Sequence, residues 1–455
     1  MSAAPARPPA PHAPGAHDPA PLDPDALATA ARAQLARNDV GTFVKPAERQ
    51  YPHQWNWDAA LVALGLSAHA PERARDEVRT LLRGAWSSGM VPHILYPHGA
   101  SDYRPDPDAW RTAGRHPHGL PTSGLSQPPV LATCLRRMHD RAPDEQRPAW
   151  RAFLRETYPA VLAWHRWWHE ARDPDRTGLA CLVHPWESGS DDAPRFDVAL
   201  AAVPPLATLP FARADRTHVA AAERPSDDDY ARYLALVARY ADLGWDDAAV
   251  VAHAPFRVED PFLIAVLHRA DADLAAIADL LGEPRDAIDG WRAATTAAYP
   301  QLWDPTQGRY AARDARTGRP LPHAGFAGLA ALWGRLAPTS VADAFADDLR
   351  AADGRYRHPT VDPDAAPFQP RRYWRGPVWI VVNWMLADGF AAYGHDDVAT
   401  RLRDDALALV ARRGFFEHYD PGDGTPGGAA GFSWSAALTL DLLRSDGAPT
   451  PRAEA

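Results

Sequence analysis

The chain reads as an all-α protein whose helices close into a toroid. Helical signals recur almost without interruption from Asp25 to about residue 444, with no βαβ alternation and no long strand ladder. No fixed sequence repeat marks a helical solenoid. About a dozen helices in one chain have few economical closures, and the commonest sets about six inner helices inside about six outer ones. In that arrangement the inner helix ends and the loops between them form a funnel at one face.

Residues 1–22 are rich in Pro and Ala and lack large apolar side chains, so a disordered leader is expected there. Asp25 is placed to cap a helix running to Arg37. A helical run over Ala59–Leu66 follows a dense aromatic segment. Pro71 suits the first turn of a helix over 71–88, where Leu81, Leu82 and Trp86 form an apolar stripe. Helical patterns follow at 128–141, 147–171, 227–242, 260–282, 285–298, 325–335, 340–351, 377–393, 396–413 and 433–444. Short extended stretches are expected at Gly178–Val183 and Arg309–Asp314, the second after the turn signal Trp303-Asp304-Pro305-Thr306-Gln307-Gly308. Segments 97–126 and 193–225 show no periodicity, and loops of that length usually cap or bind a substrate. One domain is expected over 23–446, followed by a disordered tail over 447–455.

Composition removes several classes of function. A net charge of -10 offers no general nucleic-acid footprint and suits anionic membranes poorly. No apolar run approaches the roughly 18 residues of a membrane span, and the amino-terminal tract has no apolar signal core, so a cytoplasmic protein is expected. Cys134 and Cys181 are too few for a disulfide framework or a thiolate metal site and read as buried thiols. Lys45 is the single lysine, which reads as a compositional bias toward arginine and weakens any case built on Arg clusters. The 17 tryptophans, many beside His, Asp, Glu or Arg, exceed what core packing explains and suit stacking on sugar rings.

Four segments carry chemistry. In Tyr51-Pro52-His53-Gln54-Trp55-Asn56-Trp57-Asp58, aromatic and hydrogen-bonding side chains alternate before a helix, as a sugar subsite requires; Asp58 also suits the positive end of that helix. Trp186-Glu187-Ser188-Gly189-Ser190-Asp191-Asp192 crowds carboxylates beside an aromatic ring, which disfavours ionisation and leaves one group protonated near neutral pH; a solvated acidic turn is the bland alternative. Phe415-Phe416-Glu417-His418-Tyr419-Asp420 sets a carboxylate among aromatics ahead of a glycine-rich stretch, then Phe432-Ser433-Trp434. Tyr373-Trp374-Arg375-Gly376-Pro377-Val378-Trp379 opens a helix at Pro377, with Arg375 either facing a cavity or pairing with a buried carboxylate. Each segment sits at a loop-to-helix junction, and in a toroid such junctions converge on one face. Carboxylates and tryptophans converging there are equipment for glycosidic cleavage.

Rival chemistries have weaker support. His93, His98, His116 and His118 offer imidazoles, but no HExxH helix or Cys pair accompanies them, so no metal and no cofactor are expected. Gly-x-Ser-x-Gly is absent, which removes a serine hydrolase of that type. A sugar epimerase or isomerase on a helical toroid stays open through His53, His93 and His418, as does a noncatalytic sugar-binding protein.

Tyr51 to Asp58, Met90-Val91-Pro92-His93, Trp186 to Asp191, Tyr373 to Trp379 and Phe432-Ser433-Trp434 together resemble glycoside hydrolase family 63, nearest the bacterial mannosylglycerate and glucosylglycerate hydrolases. The likeness spans roughly residues 35–440. It implies an (α/α)6 barrel and an inverting α-glycosidase on a small glucoside or mannoside, with Asp191 as general acid and Glu417 as general base. It also implies a hexose subsite lined by Trp55, Asp58, Trp186, Glu187, Tyr373 and Trp374, with Trp57, Arg375 and Trp434 beside it. Arg224 and Tyr230 carry the spacing that holds glycerate in such enzymes, and Tyr51, Tyr96 and Gln127 would supply the remaining contacts. A trehalase-like or α-oligoglucosidase activity is the alternative within the hydrolases. Two positions depart from the pattern: Asp192 replaces a common Asn, and Ala430-Gly431-Phe432 lacks the Gln that the glycerate enzymes place nearby.

Overall fold

The computed structural model describes residues 23–352, 356 and 358–444. The leader expected over 1–22, the tail over 447–455 and the last two residues of the expected domain lie outside the described residues. Helix α1, Pro24–Asn38, is capped by Asp23 rather than Asp25, its carboxylate accepting from the Asp25 and Ala26 amides at 3.1 Å. Pro24 lacks an amide hydrogen and has a preset φ, so it fits the first helical position and moves the cap upstream of it.

The helices that follow are α2 Asn56–Leu66, α3 Pro71–Leu82, α4 Leu131–Asp140, α5 Arg147–Ala171, α6 Asp227–Asp242 and α7 Pro261–Leu281. After them come α8 Asp286–Ala298, α9 Ala330–Gly334, α10 Thr339–Ala351, α11 Ile380–Ala392, α12 Asp396–Arg413 and α13 Ser433–Leu443. Three short helices, Pro107–Trp110, Asp197–Ala201 and Asp247–His253, lie where the sequence predicted none. Helix α3 stops short of the predicted residue 88 because Trp86 turns away, its amide donating to Met90 O at 2.8 Å and its indole to Thr122 Oγ1 at 3.0 Å.

Helix α2 packs on α4, α4 on α7, α7 on α9, α9 on α11, α11 on α13, and α13 back on α2. Along the chain these alternate with α1, α3, α5, α8, α10 and α12, which pack outside the circuit or on one another. The division follows the sequence. Every residue of α2 is buried, as expected of a helix apolar all round, whereas α3 and α5 alternate buried and exposed faces. Close approach within the circuit depends on small residues. A Cβ at Gly65 would sit 2.5 Å from the Ala437 backbone of α13, and one at Gly389 2.9 Å from Leu332 of α9.

Strands are short. Gln54–Trp55 pairs with Ile94–Leu95, and the expected extended stretches become Cys181–Leu182, Arg309–Tyr310 and Arg313–Asp314. The longest pairing is an antiparallel hairpin of Phe416–Tyr419 with Pro426–Ala430, which the glycines had made look like loop. Helix α11 begins three residues after the predicted Pro377, because Val378 exchanges two backbone bonds with Tyr419, at 2.8 and 3.0 Å. Among the described residues, no helix is long and apolar enough to cross a membrane. Both cysteines are free and buried.

Candidate active site

A cavity with about 810 Å³ of empty space, its open mouth included, lies at the amino-terminal ends of the circuit helices. The first aromatic segment builds one wall, and its alternation explains how. Gln54 and Asn56 turn into the body of the protein: Gln54 Nε2 donates to Glu77 Oε1 at 2.7 Å, and Asn56 Nδ2 to Val91 O at 3.1 Å. The residues between and beside them, Tyr51, Trp55, Trp57 and Asp58, line the cavity. Asp58 sits in the first turn of α2, where the positive helix end favours a carboxylate, yet burial and then the nearby Glu417 charge push its pKa well up.

Asp191 follows a single turn of 3₁₀ helix, Pro185–Ser188. Gly189 ends that turn at φ 66°, and a Cβ there would stand 2.8 Å from the Trp57 ring, so glycine is required twice over. The turn is pinned by Arg195, which donates to Ser190 Oγ at 2.6 Å and pairs with Asp260 at 2.8 Å. Burial and the neighbouring Asp192 raise the Asp191 pKa to about 7, against a smaller downward pull from Arg224. Asp191 therefore holds a proton near neutral pH and faces the cavity, as a general acid must.

Glu417 comes from the hairpin. Four donors converge on its carboxylate: Tyr51 Oη at 2.7 Å and Arg224 Nη1 at 3.3 Å on one oxygen, Arg224 Nη2 at 2.6 Å and the Ala429 amide at 2.7 Å on the other. Gly428 permits this, since a Cβ there would meet Glu417 Oε2 at 2.4 Å. Asp191 and Glu417 both line the cavity, and Tyr373 lies in the field of both.

Aromatic rings complete the walls. Trp374 and Trp379 stack at 3.9 Å, Trp57 and Trp434 meet edge to face at 4.9 Å, and Trp186 lies against His93 at 5.9 Å. Gln127, Arg224, Tyr230 and Tyr373 line the same space. Three expected residues do not. Tyr96 is spent on structure, donating to Pro105 O and accepting from the Trp110 indole, both at 2.8 Å. Glu187 turns into the body, bound by Arg172 at 2.8 Å and by the Val183 amide at 2.9 Å. Arg375 does not face the cavity: it pairs with the exposed Asp197 at 2.7 Å, donates to Asp192 O at 3.1 Å and lies 3.7 Å from the buried Asp192 carboxylate.

The cavity also takes residues outside the expected subsite, notably Tyr103, Asp215, Trp379 and Phe432, together with His93, which was weighed as a metal ligand or isomerase base. Trp379 and Phe432 lay inside motifs already singled out. Tyr103 and Asp215 come from the two long irregular segments, where no spacing distinguishes a lining residue from a solvated one.

The histidines needed by an isomerase are poorly placed. His53 and His418 do not line the cavity, and burial lowers the pKa of each, that of His53 to about 4. His93 does line it, but burial lowers its pKa to about 3, and its Nδ1 is engaged by Ser123 Oγ at 2.6 Å. Among the described residues no cluster of three or more His, Cys, Asp or Glu side chains could hold a metal ion.

A cavity of this kind, with a protonated acid and a carboxylate acceptor inside a ring of tryptophans on a helical circuit, defines the site of a glycoside hydrolase. Residues 51–435 match the model of the mannosylglycerate hydrolase MGH1-like glycoside hydrolase domain, and the chain belongs to that family. It is 43% identical to the mannosylglycerate hydrolase of Thermus thermophilus, over 90% of this chain and 99% of that one. It is 35% identical to the glucosylglycerate hydrolase of Mycolicibacterium hassiacum, over 92% of this chain and 97% of the other. The crystal structure of the GH63 mannosylglycerate hydrolase from Thermus thermophilus in complex with Tris and D-glycerate superposes with a TM-score of 0.87, covering 92% of this chain and all (100%) of that one.

Proposed function

We propose that the chain is an inverting α-glycosidase that hydrolyses mannosylglycerate or glucosylglycerate, with Asp191 as general acid and Glu417 as general base. The helix circuit is then the inner ring of an (α/α)6 barrel, and residues 23–446 are one catalytic domain. Asp191 donates its proton to the glycosidic oxygen as the bond from that oxygen to the anomeric carbon breaks. Water attacks the opposite face of the sugar, and Glu417 takes the proton it loses. Trp55, Trp57, Asp58, Trp186, Tyr373, Trp374 and Trp434 surround the hexose, while Gln127, Arg224 and Tyr230 lie toward the aglycone.

The observation that carries this assignment is that the two carboxyl groups share one aromatic cavity while differing in surroundings, Asp191 pushed up to about 7 and Glu417 ringed by four donors. The D-glycerate in the crystal of the Thermus relative supports a glycerate aglycone. Hydrolysis of mannosylglycerate, glucosylglycerate, trehalose and kojibiose should be followed by NMR at the anomeric proton. The β-hexose is expected as first product from a glycerate glycoside. Release of the α-anomer, or turnover confined to trehalose, would overturn the assignment.

A further inference from the structure

Arg224 occupies an unusual position for a residue of an aglycone subsite, because its guanidinium is already spent on Glu417. Nη2 pairs with Oε2 at 2.6 Å, while Nη1 reaches Oε1 at 3.3 Å and the Tyr51 hydroxyl at 2.8 Å. Both side chains are almost wholly buried. With Tyr51 and the Ala429 amide also donating, each carboxylate oxygen already accepts two bonds, which leaves Glu417 no lone pair for water. A general base needs a free lone pair aimed at the water. With these four bonds in place Glu417 has none.

Arg224 is held there by the site alone. Its Nε makes no hydrogen bond although buried, and its guanidinium lies over the Tyr373 ring at 4.8 Å. The backbone beside it is fixed independently: the Glu223 carboxylate accepts from the Gly428 amide at 2.9 Å and from Arg371 at 2.8 Å. The side chain can therefore move while the loop stays docked. A buried guanidinium does not leave one carboxylate for nothing, because stranding it unpaired is strongly unfavourable. It leaves for another anion, and a planar carboxylate can meet it with two parallel bonds.

We infer that Arg224 couples the aglycone to the base: paired with Glu417 it covers the carboxylate, and an anionic aglycone that draws the guanidinium away uncovers it. This rests on the hydrolytic role proposed for Glu417. Discrimination against neutral aglycones then falls on kcat as well as on KM.

The test uses the α-fluoride of whichever hexose the wild type releases, because fluoride is small and uncharged while bound to carbon and leaves the aglycone space open. Wild type is expected to hydrolyse the fluoride slowly and to be accelerated at least about tenfold by saturating D-glycerate. Arg224→Gln is expected to hydrolyse it faster than wild type and to ignore D-glycerate, while its KM for the glycerate glycoside rises far more than its kcat falls. Inhibition of wild type by D-glycerate without acceleration overturns the inference. So does an Arg224→Gln enzyme that loses fluoride hydrolysis as fully as Glu417→Gln. The wild-type arm decides the matter alone if the variant does not fold. A wild type inactive on fluoride and on both glycerate glycosides refutes the hydrolytic assignment itself, a distinguishable result.

Discussion

The two ends of the helix circuit treat buried carboxylates in opposite ways. Near the carboxy-terminal ends, Asp388 of α11 accepts from Arg335 at 2.7 Å, from Arg269 at 2.9 Å and from Arg137. Asp441 of α13 accepts from Arg137 at 3.5 Å, from Arg141 and from the Trp384 indole at 2.8 Å. Burial alone would raise the Asp388 pKa, but the three guanidiniums outweigh it and hold the carboxyl well below the usual carboxylate range. Arg137, Arg141 and Arg335 lie in the last turn or at the carboxy-terminal cap of their helices, where the negative helix end favours cations. At the amino-terminal ends, Asp58 and Asp191 are buried but have no ion-pair partner among the described residues, and both are pushed up. One end ties the ring together with satisfied charge. The other holds Asp58 and Asp191 short of partners, which costs stability and supplies chemistry.

Substitution of Asp191 should affect rate before stability, whereas substitution of Glu417 also strips the buried Arg224 of its partner. Asp191→Asn and Glu417→Gln are each expected to lower kcat by about 10²–10⁴-fold, measured on the glycerate glycoside the wild type cleaves. Asp191→Asn should leave the melting temperature unchanged or raised, because it removes an ionisable group from an unfavourable burial. Near-wild-type rates in either variant would erase the proposed contrast between the ends.

The opposite end should give the opposite result. Asp388→Ala leaves three partly buried arginines short of their shared partner and is expected to cost up to about 3–5 kcal/mol in denaturant unfolding. The protein that remains folded at low temperature should keep its kcat, since Asp388 does not line the cavity. A stable Asp388→Ala enzyme with lost activity would mean that the network serves the site rather than the ring.

Changing pH should separate the two ends without mutation. As Asp191 loses its proton, kcat/KM should fall above about pH 7. Its folded pKa of about 7 exceeds the ordinary 3.8, so the folded state binds the extra proton between those values. Stability from this group is therefore lost as pH rises through that window and is level above it. Asp388 behaves in reverse: its contribution is complete above the ordinary carboxylate pKa and disappears as pH falls below it. Relative to wild type, the unfolding profile of Asp191→Asn should change between about pH 4 and pH 7, and that of Asp388→Asn below about pH 4.

The sequence carried the helices and the two cavity carboxyls, Asp191 and Glu417, further than it carried the rest of the lining. Pro24, Pro71 and Pro261 mark helix starts by chemistry that needs no tertiary contact, and α5 and α6 fall at the predicted bounds. Pro377 misled because Val378, next to it, is claimed by a strand partner far along the chain. The hairpin bearing Glu417 was hidden by the glycines that let it pass so close to that carboxylate. Within the motifs, side-chain direction was the missing quantity. Glu187 and Asp191 share one acidic turn, yet Arg172 draws the first into the body while the second faces the cavity. No spacing rule could foresee Asp215, because the loop that brings it there has no period.

Tyr96 offers the smallest and most discriminating check, because a glycerate contact and a structural post predict different losses. Its hydroxyl bridges Pro105 O and the Trp110 indole and does not line the cavity, although Pro105 does. Tyr96→Phe removes both bonds and leaves a buried carbonyl and a buried indole N–H without this partner, a cost of about 1–3 kcal/mol. Stability should therefore fall, while kcat and KM for the glycerate glycoside stay within about twofold of wild type. A rise in KM with stability intact would instead return Tyr96 to the substrate.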